Sequence, residues 1–207
     1  VSLTVHAIIP LSLLEAIRNL DTPMDDGLSD VAAEMVSKRL GLSTTVLSQI
    51  ERYRAQVTRG KGAPTDEAVL VFRLVSRRSD ASLVFADAGR RAARHAVREL
   101  ARGRGLLLRA TPSFWRRRLG LQVARDLARG VFRADLRRAD TLAAVTLLHS
   151  LTMGAGAEGE GCYFYGAAFA ELLRLLTGFE GAMLHDRCRS RGDDECCWTA
   201  TAVEAYE

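Results

Sequence analysis

Apolar residues recur at helical spacing through most of the first 130 positions, and the period changes after that. Residues 11–20 read as a short amphipathic helix that ends at Asp21-Thr22-Pro23. A helix over about 29–40 stops at Gly41, and Ser43 caps a second one running to about Thr58. Residues 59–64, Arg-Gly-Lys-Gly-Ala-Pro, form the clearest linker. Thr65 caps the next helix, which carries Asp66 and Glu67 in its first turn and runs to about Arg77. Over 82–102, Leu83, Ala86, Gly89, Ala93, Ala96, Val97 and Leu100 keep the helical period, and Gly103 ends the run. Thr111-Pro112 opens a further helix, with proline at its first position, expected to reach Ala128 and stop at Gly130.

Beyond Gly130, residues 131–136 and 141–153 are rich in Val, Thr and Leu and predict two strands, with a turn over 137–140. A loop of glycines and acids, 154–161, precedes a strongly amphipathic helix over 163–177, with Phe164, Ala168 and Leu172 on one face. Residues 182–188 and 195–203 predict a final hairpin around Gly192-Asp193. Helices followed by a β-β-α-β-β unit place the chain in the α+β class with an antiparallel sheet. The linker divides it into a helical extension, 1–63, and a main domain, 64–207. No internal repeat is present.

Composition changes this picture little. The chain has 207 residues, 48% of them hydrophobic and 26% charged, enough for a core without disulfides. No uninterrupted apolar run reaches about 18 residues, so no membrane span is expected. Residues 1–14 lack a basic leader region, and a cytoplasmic location is expected. The net charge of +4 is carried almost wholly by arginine, since the only lysines are Lys38 and Lys61. Arginines are concentrated over 90–104 and at 116–118, where a solvated helix face is the expectation.

The chemistry lies near the C-terminal end. All four cysteines, Cys162, Cys188, Cys196 and Cys197, fall in 36 residues together with His185. His185 and Cys188 stand two residues apart, a chelating interval, and three thiolates with one imidazole would close a tetrahedral structural zinc site. On a regular strand those two side chains point to opposite faces. Asp186-Arg187 must therefore hold an irregularity. Cys196 and Cys197 also face opposite ways, so only one of them can be the fourth ligand. Buried free thiols or a disulfide are the competing accounts.

The stretch from Cys162 onward resembles the C-terminal part of the 4-vinyl reductase domain family. That family includes a bacteriochlorophyll-synthesis protein and the sensor domains of aromatic-responsive bacterial activators, and its fold is related to a vesicle-tethering subunit family of eukaryotes. The matching pieces are Gly161-Cys162-Tyr163-Phe164-Tyr165-Gly166 opening a helix, His185-Asp186-Arg187-Cys188, and Arg191-Gly192-Asp193 ahead of Cys196 and Trp198. The similarity covers roughly 82–203 and is specific over the last 45 residues or so. It implies zinc held by Cys162, His185, Cys188 and Cys196, with His185 where the sensors carry Glu. It also implies a homodimeric α+β ligand-binding fold whose apolar pocket, between helices and sheet, is stapled by the metal.

Aromatic and polar candidates for that pocket are Phe114, Trp115, Phe132, His149, Tyr163 and Phe169. The expected function is a zinc-stabilised carrier or sensor of an apolar, ring-containing small molecule, such as a tetrapyrrole intermediate or an aromatic hydrocarbon. An accessory factor or enzyme of 4-vinyl reduction is the alternative. No catalytic triad or carboxylate pair is apparent, so binding is expected over catalysis. A literal G-x-G-x-x-G at Gly154, Gly156 and Gly159 is opposed by Glu158 and Glu160, which would sit against a pyrophosphate. Val36, Leu40, Gly41, Leu42, Leu47 and Ile50 match helix-turn-helix spacing, with Thr44, Thr45, Ser48 and Gln49 facing outward, so a DNA-binding regulator is a further alternative.

Overall fold

The computed structural model describes residues 4–22, 43–104, 113–139, 143–147, 149–155 and 159–202, with the backbone alone for 102–104 and 113–117. Strand β1 (Thr4–His6) leads into helix α1 (Ile8–Asp21), and α2 (Thr44–Thr58), β2 (Gly62–Pro64), α3 (Thr65–Ser76), α4 (Ala81–Arg104) and α5 (Ser113–Phe132) follow. Then come β3 (Asp135–Arg138), β4 (Ala143–Leu147), α6 (Leu151–Ala155), α7 (Cys162–Thr177), β5 (Gly181–Arg187) and β6 (Cys196–Ala202). The fold is α+β, as its pattern predicts. Among the described residues no helix is long and apolar enough to cross a membrane.

Helix α1 is apolar nearly all round, and every residue from Ile8 to Ile17 is buried. A helix without a polar face belongs inside a protein, and α1 packs there against α2, α3 and α4. Its residues share one continuous hydrophobic cluster with α7 and the sheet. The two charges it carries inward are paired. Glu15 receives Arg54 at 2.7 Å and His95 at 2.8 Å, and Asp21 receives Arg78 at 2.8 Å. The Ser43 hydroxyl accepts from the Val46 amide at 3.3 Å and caps α2. Residues 59–64 are more than a linker, because Gly62–Pro64 pairs antiparallel with Thr4–His6. The cap of α3 is Pro64, one residue ahead of the Thr65 expected from the sequence.

The four-stranded sheet has the order β3-β4-β6-β5, antiparallel throughout. Two strand expectations fail. Residues 131–132 extend α5 past Gly130, and the strand begins at Asp135 and runs through the expected turn to Arg138. The segment 141–153 is a strand only over Ala143–Leu147, and Leu151–Ala155 is helical. The Ser150 hydroxyl accepts from the Thr152 amide at 3.2 Å, which starts that helix and ends the extended run.

Helices α4 and α7 form the principal crossing, where Gly89 of α4 lies against the Phe164 carbonyl and the Ala168 amide of α7. Small residues on α4 let the large ones of α7 come close. At its rim Glu171, 5% exposed, receives Arg94 and Arg174, each at 2.7 Å. The Arg174 hydrogen bond, with that of Arg94, holds the Glu171 carboxyl down at about 2, against an ordinary 4.5. A depressed carboxylate stabilises the fold above its unfolded value and ceases to do so as pH falls through its folded one. Glu171→Gln is therefore expected to lower stability at pH 7 by about 1–2 kcal/mol, because both guanidinium groups are half exposed. The gap from the parent should close between pH 4.5 and about 2. Urea unfolding across that range checks it, and a pH-independent gap would assign the loss to packing.

Candidate metal centre and adjoining cavity

Strand pairing explains how four distant side chains meet. Residues directly opposite on paired strands share a face, so His185 lies with Trp198, and Cys196 shares that face two residues away. The register then shifts by one residue between His185 and Arg187, and Arg187 pairs with Cys197. This is a β-bulge at Asp186-Arg187, where the ligand spacing requires an irregularity. It turns Arg187 and Cys197 to the outer face. Cys188, next along the chain, returns to the face of His185. A 3-10 turn (Arg189–Arg191) and Gly192, at φ 99°, reverse the chain. Asp193 accepts the Cys188 amide at 2.6 Å, and the Arg189 amide donates to Cys196 Sγ at 3.5 Å. Cys162 arrives from the first turn of α7.

The ligand atoms of Cys162, His185, Cys188 and Cys196 all lie within 4.8 Å of one another, close enough to hold one metal ion. Cys162 and Cys188 Sγ are 3.8 Å apart, and all four cysteines are free thiols. The cysteines are buried and His185 is half-buried. His185 Nε2 is buried with no hydrogen-bond partner among the described residues, an orphaned polar atom of the kind that a cation satisfies. The His185 ring stacks on Trp198, with centroids 4.6 Å apart, which fixes its plane. The hydrogen bond between Cys162 and Cys196 pushes the Cys196 thiol well below its ordinary range and the Cys162 thiol well above it. A proton shared by two sulfurs is what a bound metal displaces. Cys197 stands outside the cluster, on the face of Arg187.

A cavity of about 670 Å³ lies behind this centre, between α1, α3, the end of α5, α6 and the sheet. Val5, Ile9, Val69, Val131, Phe132 and Leu151 supply its apolar wall, with Tyr165 on the same lining. Polar groups include His149, Ser150, Thr146, Arg137 and Glu195. Tyr165 is fully buried, and burial raises its phenol far above the ordinary value, so it stays protonated. Its oxygen accepts the Leu151 amide at 3.4 Å. Ser150 and Thr152 hydroxyls meet at 2.6 Å, and Thr152 lies 4.0 Å from Cys162 Sγ. A chain of contacts thus runs from the metal ligands to the cavity wall.

The pocket candidates divide. Phe132 and the exposed His149 line the cavity. Phe169 does not. It is enclosed by Phe132 at 5.8 Å and Trp198 at 5.5 Å. Tyr163 is 58% exposed and lines a second groove beside α7 and β5, one that Cys162, His185 and Cys188 also line. The side chains of Phe114 and Trp115 lie outside the described residues, as do Val36, Leu40, Gly41 and Leu42 of the helix-turn-helix pattern. Gly154 sits inside α6, so the glycine pattern does not run directly from strand to helix, and Gly156 lies outside the described residues. Val5, Ile9, Val69 and Tyr165 carry no sequence signal for a pocket, because separate elements deliver them. No family model, curated protein or solved structure matches the chain.

Proposed function

We propose that the protein is a zinc-stabilised binding protein for an apolar, ring-containing small molecule, acting as a carrier or sensor. The observation that carries this reading is the cavity beside the metal centre. Its volume falls in the range of ligand sites, about 300–1,000 Å³, and so does its character, mostly apolar with a few polar groups. Zinc is the metal favoured by the donor set. A zinc–sulfur bond of about 2.3 Å sets a tetrahedral edge of roughly 3.8 Å, and Cys162 and Cys188 Sγ stand 3.8 Å apart. Three sulfurs and one nitrogen leave no open position, so the ion would act structurally. Cys162, His185, Cys188 and Cys196 would hold it, and the ion would tie the final hairpin to the start of α7. The 4-vinyl reductase resemblance points to the same ligands and to an apolar aromatic or tetrapyrrole guest. His149 at the cavity edge is suited to hydrogen-bond a polar group on such a ring.

The test is native mass spectrometry and visible absorption on untagged protein purified without chelator. One zinc per chain and an additional organic mass or pigment are expected, with the same spectrum reading the oligomeric state. Val69→Trp fills the cavity from α3 and should remove the organic mass while the zinc stays. Metal-free protein with native stability would sink the zinc assignment. A guest retained in full by Val69→Trp would place binding elsewhere.

A further inference from the structure

At the C-terminal turns of α1, a basic concavity of about 400 Å³ opens between α1, α2 and α4. Five guanidinium groups line it, those of Arg18, Arg54, Arg91, Arg94 and Arg98, together with His95 and one carboxylate, Glu15. We propose that this concavity is a binding site for a small phosphate-bearing anion of the pyrophosphate class. It is separate from the metal centre and the apolar cavity, and shares no lining residue with either.

Glu15 offsets only part of the arginine charge. It is 9% exposed and already engaged by Arg54 and His95, so it forms the floor. Arg91 and Arg94 are each held through Nε at 2.7 Å, by Asp87 and Glu171, neither of which lines the concavity. Those bonds fix two guanidinium groups at the rim. Arg18 and Arg98 are exposed and form no ion pair with any described residue. Arginine stays charged at every physiological pH, and with Arg54, Arg91 and Arg94 each paired to a carboxylate the excess positive charge is that of Arg18 and Arg98. The guanidinium fork matches phosphate oxygens two at a time, and an ordinary solvated face would spread these charges apart. Here three helices converge them on one hollow, which suits a compact polyanion better than an extended backbone. Asn19 and Thr22 add neutral hydrogen-bonding groups at the edge.

Isothermal titration of the full chain with inorganic pyrophosphate tests the proposal, at low and at physiological ionic strength. Saturable binding to one site per chain is expected. Arg18→Ala/Arg98→Ala should weaken it by at least about tenfold. Neither side chain forms an ion pair with a described residue, so the melting temperature should be unchanged. Arg138→Ala, an exposed arginine on β3, should bind like the parent. No saturable heat, or an equal loss in Arg138→Ala, would reduce the concavity to a solvated arginine face. Binding of citrate without pyrophosphate would overturn the phosphate assignment. Duplex DNA bound through Arg18 and Arg98 in the absence of pyrophosphate binding would replace it with a nucleic-acid surface.

Discussion

Cys188→Ser should lose its metal and with it much of its stability. Serine offers an alcohol that does not ionise at neutral pH, so three donors remain where four converge. Cys188 also lies at the only point where the bulge, the 3-10 turn and the start of α7 come together among the described residues. A metal present at about 1,000 times its dissociation constant stabilises the folded state by roughly 4 kcal/mol. In a domain of this length each kcal/mol moves the midpoint by about 2–4 °C, so a fall of about 8–16 °C is expected. Cys197→Ser is the matched control. It removes a neighbouring buried sulfur on the outer face of the sheet and should keep one metal per chain. Elemental analysis and thermal unfolding, with and without chelator, read both variants. If Cys188→Ser kept its metal, or if chelator left the parent's midpoint unmoved, the cluster would be core packing.

That centre was largely legible because chelation is a stringent geometric demand. Two side chains three positions apart reach one ion only if the strand is irregular between them, and the bulge occurs at Asp186-Arg187. The choice between Cys196 and Cys197 needed the resemblance, since strand alternation alone leaves either face possible. The helices were legible where the period and the caps agreed, as at Ser43. They were misread where β-branched and aromatic residues sit at a helix end. Val131 and Phe132 have high strand propensity, but both are buried at the close of α5, and tertiary burial outweighs propensity. Ser150 offered a usable signal for α6, since a serine hydroxyl two residues before a free amide competes with a strand ladder.

The cavity was not legible for a different reason. Its wall is assembled from β1, α1, α3, α5, α6 and α7, and no window of sequence contains more than a fragment of it. Phe132 is legible because aromatic residues are common in the lining of ligand pockets. Phe169 and Tyr163 carry the same signal, and the turn of α7 sends one into the core and the other to solvent. Tyr165, two residues after Tyr163 and one turn before Phe169, is the residue that reaches the lining. The basic concavity was hidden by the same logic. A run of arginines on one helix reads as a solvated face until Arg18 and Arg54 arrive from other helices.

Gly89→Ala is expected to be among the most damaging single-methyl changes at the described glycines, and it tests how the cavity and the metal centre are held together. A Cβ at position 89 would stand 2.1 Å from the Phe164 carbonyl oxygen and 3.0 Å from the Ala168 amide nitrogen. Both are backbone atoms of α7, so no rotamer change relieves the contact, and the helices must separate. Overpacking of this kind costs about 1–3 kcal/mol and occasionally more. The upper end applies because the displaced helix carries Phe164, Tyr165 and Phe169 at the centre of the aromatic core. Gly120 on α5 makes an equally close approach to the Leu176 carbonyl, 1.9 Å, so α7 is gripped by glycines on both sides. Gly130→Ala is the contrast. It adds a methyl in the same helix with nothing within 4 Å. It should raise stability by about 0.5–1 kcal/mol through helix propensity alone. A midpoint drop of about 6–12 °C in Gly89→Ala beside a small rise in Gly130→Ala would place the tight crossing where the structure has it. Shifting α7 moves Cys162 at its start and Tyr165 on the cavity wall together. Gly89→Ala should therefore weaken metal retention and guest binding in parallel, although residue 89 touches neither site. Loss of stability with both properties intact would show that α7 yields locally around Phe164, and that the coupling from centre to cavity does not pass through the helix.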